Sequence, residues 1–317
     1  MQPEHEGPVY GDTDAGDRAA RRRQEAEAPP ADEQPVPAKV TVPSLVARKG
    51  TGKRVLCLTA YDFPTARLAD EAGFDLLLVG DSMANVVLGH ASTLKITLEQ
   101  IISATRAVKR AADRPLVVAD MPFGSYHVSV EDTLQNAIRL IREGGAQAVK
   151  LEGGESRAHL VEALVEADIP VMGHVGLLPQ SVNARGGYKV QGRDTWSARQ
   201  VLEDALALED AGAFAVVLEG VPAEVAAVVT ARLRVPTIGI GAGPTCDGQI
   251  LVFHDVVGLA FGPAPRFVKR YADVAGVMRE ALGALAADMR EGTFPAEEHC
   301  YPAGPGLQKG WDREDEA

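Results

Sequence analysis

Eight short apolar runs recur along the chain, each followed by a longer amphipathic stretch. They are RVLCLTA (54–60), FDLLLVGD (74–81), PLVVAD (115–120), AQAVKLEG (146–153), IPVMGH (169–174), AFAVVLEG (213–220), VPTIGIGAG (235–243) and VVGLAFG (256–262). The runs are rich in Val, Ile and Leu and show no polar alternation, which marks parallel strands buried on both faces. Eight such strands alternating with helices predict an α/β fold, a (β/α)8 TIM barrel. The competing doubly wound sheet usually carries a dinucleotide fingerprint. The one Gly-rich candidate, GIGAGP (239–244), has Pro244 where that fingerprint needs Gly.

The intervening stretches carry helix signals. In 96–112, Ile101, Ala104, Thr105 and Val108 share one face, and Thr97 stands three residues before Gln100 in capping-box relation. Three helices end alike, in EAGF (71–74), EGGA (143–146) and DAGA (210–213), with Gly where a left-handed C-cap is wanted.

Both ends of the chain read differently. Residues 1–40 contain no Leu, Ile or Phe but six prolines and nine acids. Such a segment buries too little apolar surface to offset its ordering entropy. The reading is a disordered, acidic, Pro-rich tail over 1–41, a single catalytic barrel domain over 42–295 and a polar C-terminal tail over 296–317. The formal net charge of −12 argues against nucleic acid as the main partner. No apolar run is long enough for a membrane span, and the N-terminus lacks the apolar stretch of a secretory signal. The three cysteines form no CxxC pair, so neither a zinc ribbon nor a disulfide framework is expected, and a reducing compartment fits.

The informative residues lie where the runs stop, because a barrel builds its active site at the C-terminal ends of its strands. The second run ends in Asp81-Ser82, the third in Asp120, the fifth in His174 and the sixth in Glu219. The fourth carries Lys150 and Glu152, two apart and so on one strand face. Charges at the ends of apolar strands are costly unless paired or metal-bound. Taken singly, each acid reads as a helix cap or a lysine partner. Taken together, Asp81, Asp120, Glu152 and Glu219 repel one another unless a cation or proton lies between them. An all-oxygen set favours a hard divalent ion, Mg²⁺ first. Lys150 reads either as a Schiff-base nucleophile or as a positive charge for a substrate oxygen; the surrounding acids keep it protonated and favour the second. The long 177–193 connection, with Gly186-Gly187, reads as a lid or a subunit contact.

The stretches VGDSMANVVLGH (79–90), VVADMPFGSY (117–126), AVKLEGG (148–154), VMGHVGLLPQSVNARGGYKVQGR (171–193), VLEGVP (217–222) and IGIGAGPTCDGQILVFHD (238–255) resemble the ketopantoate hydroxymethyltransferase family. The resemblance runs from about residue 42 to about residue 290. It implies hydroxymethyl transfer from 5,10-methylenetetrahydrofolate to 3-methyl-2-oxobutanoate, giving 2-dehydropantoate at the entry to pantothenate and coenzyme A. It implies one Mg²⁺ per subunit held by Asp81, Asp120 and, through water, Glu152. It places Asp81, Ser82, Asp120 and Lys150 on the substrate, makes Glu219 the proton acceptor and sets His174 beside the oxo acid. It further implies a cytoplasmic homodecamer acting on small molecules.

Departures from the family pattern are Lys95 in STLKIT, Gly220 after Glu219 and His127 after FGSY. None touches these positions. Two other readings keep the barrel. One is a metal-dependent C–C lyase or phosphotransferase acting on a related 2-oxo acid, although the KKCGH-like loop of such lyases is missing. The other is a non-catalytic barrel that binds oxo acid or folate, which predicts a damaged site where this one is intact.

Overall fold

The computed structural model describes residues 38–302 except Pro263. The tail readings for 1–37 and 303–317 lie outside the described residues. Eight parallel strands close into a barrel in sequence order: β1 (Val55–Thr59), β2 (Leu76–Val79), β3 (Leu116–Asp120), β4 (Ala148–Lys150), β5 (Val171–Gly176), β6 (Ala215–Glu219), β7 (Thr237–Ile240) and β8 (Gly248–Leu251), with β8 pairing back on β1. The helices are α1 (Val42–Val46), α2 (Phe63–Glu71), α3 (Met83–Val86), α4 (Leu98–Ala111), α5 (Val130–Arg142), α6 (Ala158–Glu166), α7 (Val182–Arg185), α8 (Thr195–Asp210), α9 (Ala223–Arg232), α10 (Phe253–Val257) and α11 (Val274–Glu291).

Seven of the eight apolar runs are strands, and the eighth is not. VVGLAFG begins in α10, and Gly258 ends that helix with φ +72°. The closing strand is GQIL, whose Gln249 side chain interrupts the apolar run and whose exposure alternates along its length. The helix signals hold. Thr97 and Gln100 form the capping box of α4, and Ile101, Ala104, Thr105 and Val108 are buried. Gly73, Gly145 and Gly212 all adopt positive φ just after their helices, a conformation that costs other residues strain.

Strand period two divides the core into two layers. Odd-numbered Val117 and Ala119 of β3 pack outward under the helices, with Val149, Val171 and Val175. Leu116 and Val118 face the barrel axis with Ala148, Met172, Ala215 and Val217. Val40 and Leu45 of the entry segment belong to this inner cluster, so α1 plugs the barrel's N-terminal end. Followed toward the C-terminal ends, each inward series turns from apolar to charged: Leu116, Val118, Asp120; Ala148, Lys150; Met172, His174; Ala215, Val217, Glu219.

Candidate active site

All seven singled-out residues, Asp81, Ser82, Asp120, Lys150, Glu152, His174 and Glu219, line one cavity of about 1310 Å³ at the C-terminal end of the barrel. Register explains part of the convergence. Asp120 of β3 pairs with Lys150 of β4, and Lys150 Nζ donates to Asp120 Oδ1 at 2.6 Å. The other Asp120 oxygen, Oδ2, accepts the Asp81 backbone N–H at 3.0 Å. Glu219 pairs in register with Gly176. A side chain at Gly176 would meet the Glu219 backbone oxygen at 2.4 Å, so glycine is what lets β5 and β6 approach here.

The buried charges do not balance. Burial, then the charge of Asp120, push the Asp81 carboxyl up to about 7 against the pull of Lys150. Burial, with Asp81 adding to it, holds Glu152 well above the usual carboxylate range. Lys150 is raised: burial opposes its charge, but Asp120, Glu152 and Asp81 outweigh burial, so it stays protonated. Glu152 Oε1 is buried with no hydrogen-bond partner. No three His, Cys, Asp or Glu side chains among the described residues are drawn into a formed metal cluster. The present partners of Asp81 and Asp120 are protein N–H groups and Lys150. The donor set still fits a hard divalent cation, being all oxygen, anionic in excess and holding one orphaned carboxylate oxygen.

His174 lies between two glutamates. Its Nε2 is 3.3 Å from Glu219 Oε2 and its Nδ1 is 3.7 Å from Glu152 Oε1. Neither contact has hydrogen-bond geometry, so both ring nitrogens are buried without partners. Burial and then Lys150 lower its pKa, against Glu219, which leaves a neutral imidazole at pH 7. Glu219 is the most accessible of the four strand-end acids, with 19% of its side chain exposed against 2% for Glu152.

Several site residues carried no assignment from sequence. Gln180 is buried in the 177–193 connection and reaches Asp81 and Glu152. Tyr126 is buried and hydrogen-bonds Gln180. The Tyr61 hydroxyl lies 2.8 Å from Ser82 Oγ. Thr93 lines the cavity with its hydroxyl buried and unpartnered. The motif containing Gln180 is visible in the sequence, but the partners that define its role are distant along the chain.

The family model for ketopantoate hydroxymethyltransferase matches residues 39–297. A relative from Carboxydothermus hydrogenoformans, named 3-methyl-2-oxobutanoate hydroxymethyltransferase, is 54% identical over 267 residues, covering 84% of this chain and 97% of its own. A relative of the same name from Koribacter versatilis is 51% identical over 263 residues, covering 83% and 89%. Among solved structures, oxaloacetate acetylhydrolase in complex with 3,3-difluorooxalacetate superposes with TM-score 0.54 at 16% identity, covering 87% of this chain and 96% of its own. A 2,3-dimethylmalate lyase of the PEP mutase/isocitrate lyase superfamily gives 0.53 at 17%, covering 86% and 98%. These two likenesses establish the shared fold alone. With the seven residues gathered in one cavity and relatives matched along nearly their whole length, the chain belongs to the ketopantoate hydroxymethyltransferase family.

Proposed function

We propose that this protein transfers a one-carbon unit from 5,10-methylenetetrahydrofolate to C3 of 3-methyl-2-oxobutanoate, giving 2-dehydropantoate, the first step toward pantothenate and coenzyme A. The observation that carries the reading is Glu219, the most accessible of the four strand-end carboxylates, in the same cavity as a buried lysine and the other three. The relatives' shared name supports the choice of substrate.

Asp81, Asp120 and Glu152 would hold Mg²⁺, which when bound supplies a Lewis acid for the oxo acid's oxygens. Lys150, kept protonated by its acidic neighbours, places a fixed positive charge where negative charge grows on the substrate. Glu219 accepts the C3 proton. Neutral His174 lies 3.3 Å from Glu219 Oε2 and, by the family resemblance, beside the bound oxo acid. Ser82, set by Tyr61, offers a hydroxyl to the substrate together with Asp81. The overall transfer consumes one water and releases tetrahydrofolate.

The reading extends to a cytoplasmic homo-oligomer, a decamer by the family resemblance. An exposed apolar row on α11 supports self-association.

The test is proton exchange at C3 of 3-methyl-2-oxobutanoate in D₂O, followed by NMR with Mg²⁺ and without folate. The wild type is expected to exchange only with metal present. Glu219→Gln should bind the oxo acid but exchange at least ~100-fold more slowly, the usual scale of a lost general base. Near-normal exchange in that variant would remove Glu219 as the base. If the wild type exchanges under neither condition, adding folate and assaying 2-dehydropantoate decides the reaction itself.

A further inference from the structure

The 177–193 connection is fastened at both stems beside the proposed base. Leu177 N–H donates to the Glu219 carbonyl at 2.8 Å, and Gln191 N–H donates to the Gly220 carbonyl at 2.9 Å. Between these stems the chain dips inward and buries Gln180, leaving 5% of it exposed. The Gln180 backbone N–H donates to Glu152 Oε2 at 2.9 Å. Its side-chain Nε2 donates to Asp81 Oδ2 at 2.9 Å and to the Met121 carbonyl at 3.1 Å. Its Oε1 accepts the Tyr126 hydroxyl proton at 2.7 Å. The Tyr126 oxygen in turn accepts the Glu152 backbone N–H at 3.3 Å.

This network fixes the amide's orientation without ambiguity. Turning the amide over would set Oε1 against two acceptors and NH₂ against the tyrosine donor. A glutamate here would put like charge on Asp81, and an aliphatic residue would leave three buried polar groups unpaired. One residue thus ties an oxygen of Asp81 and an oxygen of Glu152 into one frame, and leaves Glu152 Oε1 without a partner.

We propose that Gln180, oriented by Tyr126, is a positioning residue that sets the Asp81 and Glu152 carboxylates for a divalent cation and makes seating of the 177–193 connection a condition of that geometry. The inference rests on the function proposed above, and it concerns groups that act through the carboxylates and do not touch substrate.

The experiment measures Mn²⁺ binding by calorimetry and electron paramagnetic resonance in the full chain. It compares wild type, Gln180→Leu and Tyr126→Phe, and adds metal titrations of C3–H exchange. Mn²⁺ affinity is expected to fall about 10–100-fold in Gln180→Leu, the scale seen when groups supporting metal ligands are lost. Tyr126→Phe removes one oxygen and should give a smaller loss in the same direction. In both, the metal concentration for half-maximal exchange should rise more than the maximal rate falls. If Gln180→Leu does not fold, Tyr126→Phe decides alone. Folded variants with Mn²⁺ affinity and metal dependence within twofold of an active wild type would overturn the inference while leaving the reaction intact. A wild type that binds no divalent cation would overturn the cation site and the inference with it.

Discussion

Two aspartates six positions apart are buried at opposite ends of β2 and titrate in opposite directions. Asp75 lies at the N-terminal end. Burial alone would raise its carboxyl, but Arg48 donates to both of its oxygens, at 2.6 and 2.9 Å, and Leu56 N–H and Arg114 add further hydrogen bonds. The net shift is downward. Asp81, at the C-terminal end, faces other acids and rises to about 7. The first arrangement is a satisfied ion pair, and the second is the unbalanced charge that marks a candidate functional site. Asp75→Asn leaves two partly buried arginines unpaired and should cost about 3 kcal/mol, the lower end for broken buried pairs. A carboxyl depressed in the folded state stabilises above its unfolded pKa of about 3.9, and that contribution is lost as pH falls through the lower folded value. The gap between wild type and Asp75→Asn in urea unfolding should therefore be full at pH 7 and shrink below about pH 4. A gap that stays constant with pH would locate the effect in packing instead.

At the scale of elements, period two made most of the site legible. Asp120, Lys150, His174 and Glu219 continue the inward apolar series of their strands, so their convergence followed from where each run stopped. The eighth strand was illegible for a related reason. GQIL is four residues long and carries a polar side chain, whereas VVGLAFG matches a buried strand in composition but contains the glycine that ends α10. Gln180 was illegible because its meaning lies in partners 54 and 99 residues away, Tyr126 and Asp81. The plug α1 shows the same limit. Thr41 caps it and Pro43 opens it, yet only packing places Leu45 against the inward residues of the strands. Leu45→Ala should lower stability by about 2–5 kcal/mol, as large-to-small changes in closed cores do. It should leave Mn²⁺ affinity unaltered, because the plug lies at the opposite end of the barrel from the cavity. Denaturant unfolding beside metal titration reads both, and a matching loss of metal affinity would show that the two ends are coupled.

At the scale of the whole molecule, the described residues leave apolar surface exposed. Of the eighteen residues of α11, only Ala275 is buried. Met278, Leu282, Leu285 and Met289 recur at spacings of four, three and four, which sets them on one helix face, and all are exposed, Leu282 by 61%. The helix makes no extensive contact with any other described element. On the barrel, Leu56 of β1 is 47% exposed although it faces the layer where a helix would normally lie. Beside it is a hollow of about 320 Å³ lined by Phe74, Leu251, Val256 and Tyr271 among others. Exposed apolar patches of this kind mark contact surfaces. In the homo-oligomer proposed above, a second copy of this chain would cover them, since each copy supplies both an exposed apolar helix face and an exposed apolar flank. Leu282→Glu with Leu285→Glu would bury charge at such a contact while leaving the strands and cavity unaltered. Sedimentation equilibrium should find the wild type as a large homo-oligomer and the double variant as smaller species with the same far-ultraviolet circular dichroism. A wild type that sediments as a monomer at micromolar concentration would show that the α11 face is not covered by another copy, and the decameric assembly would fall with it.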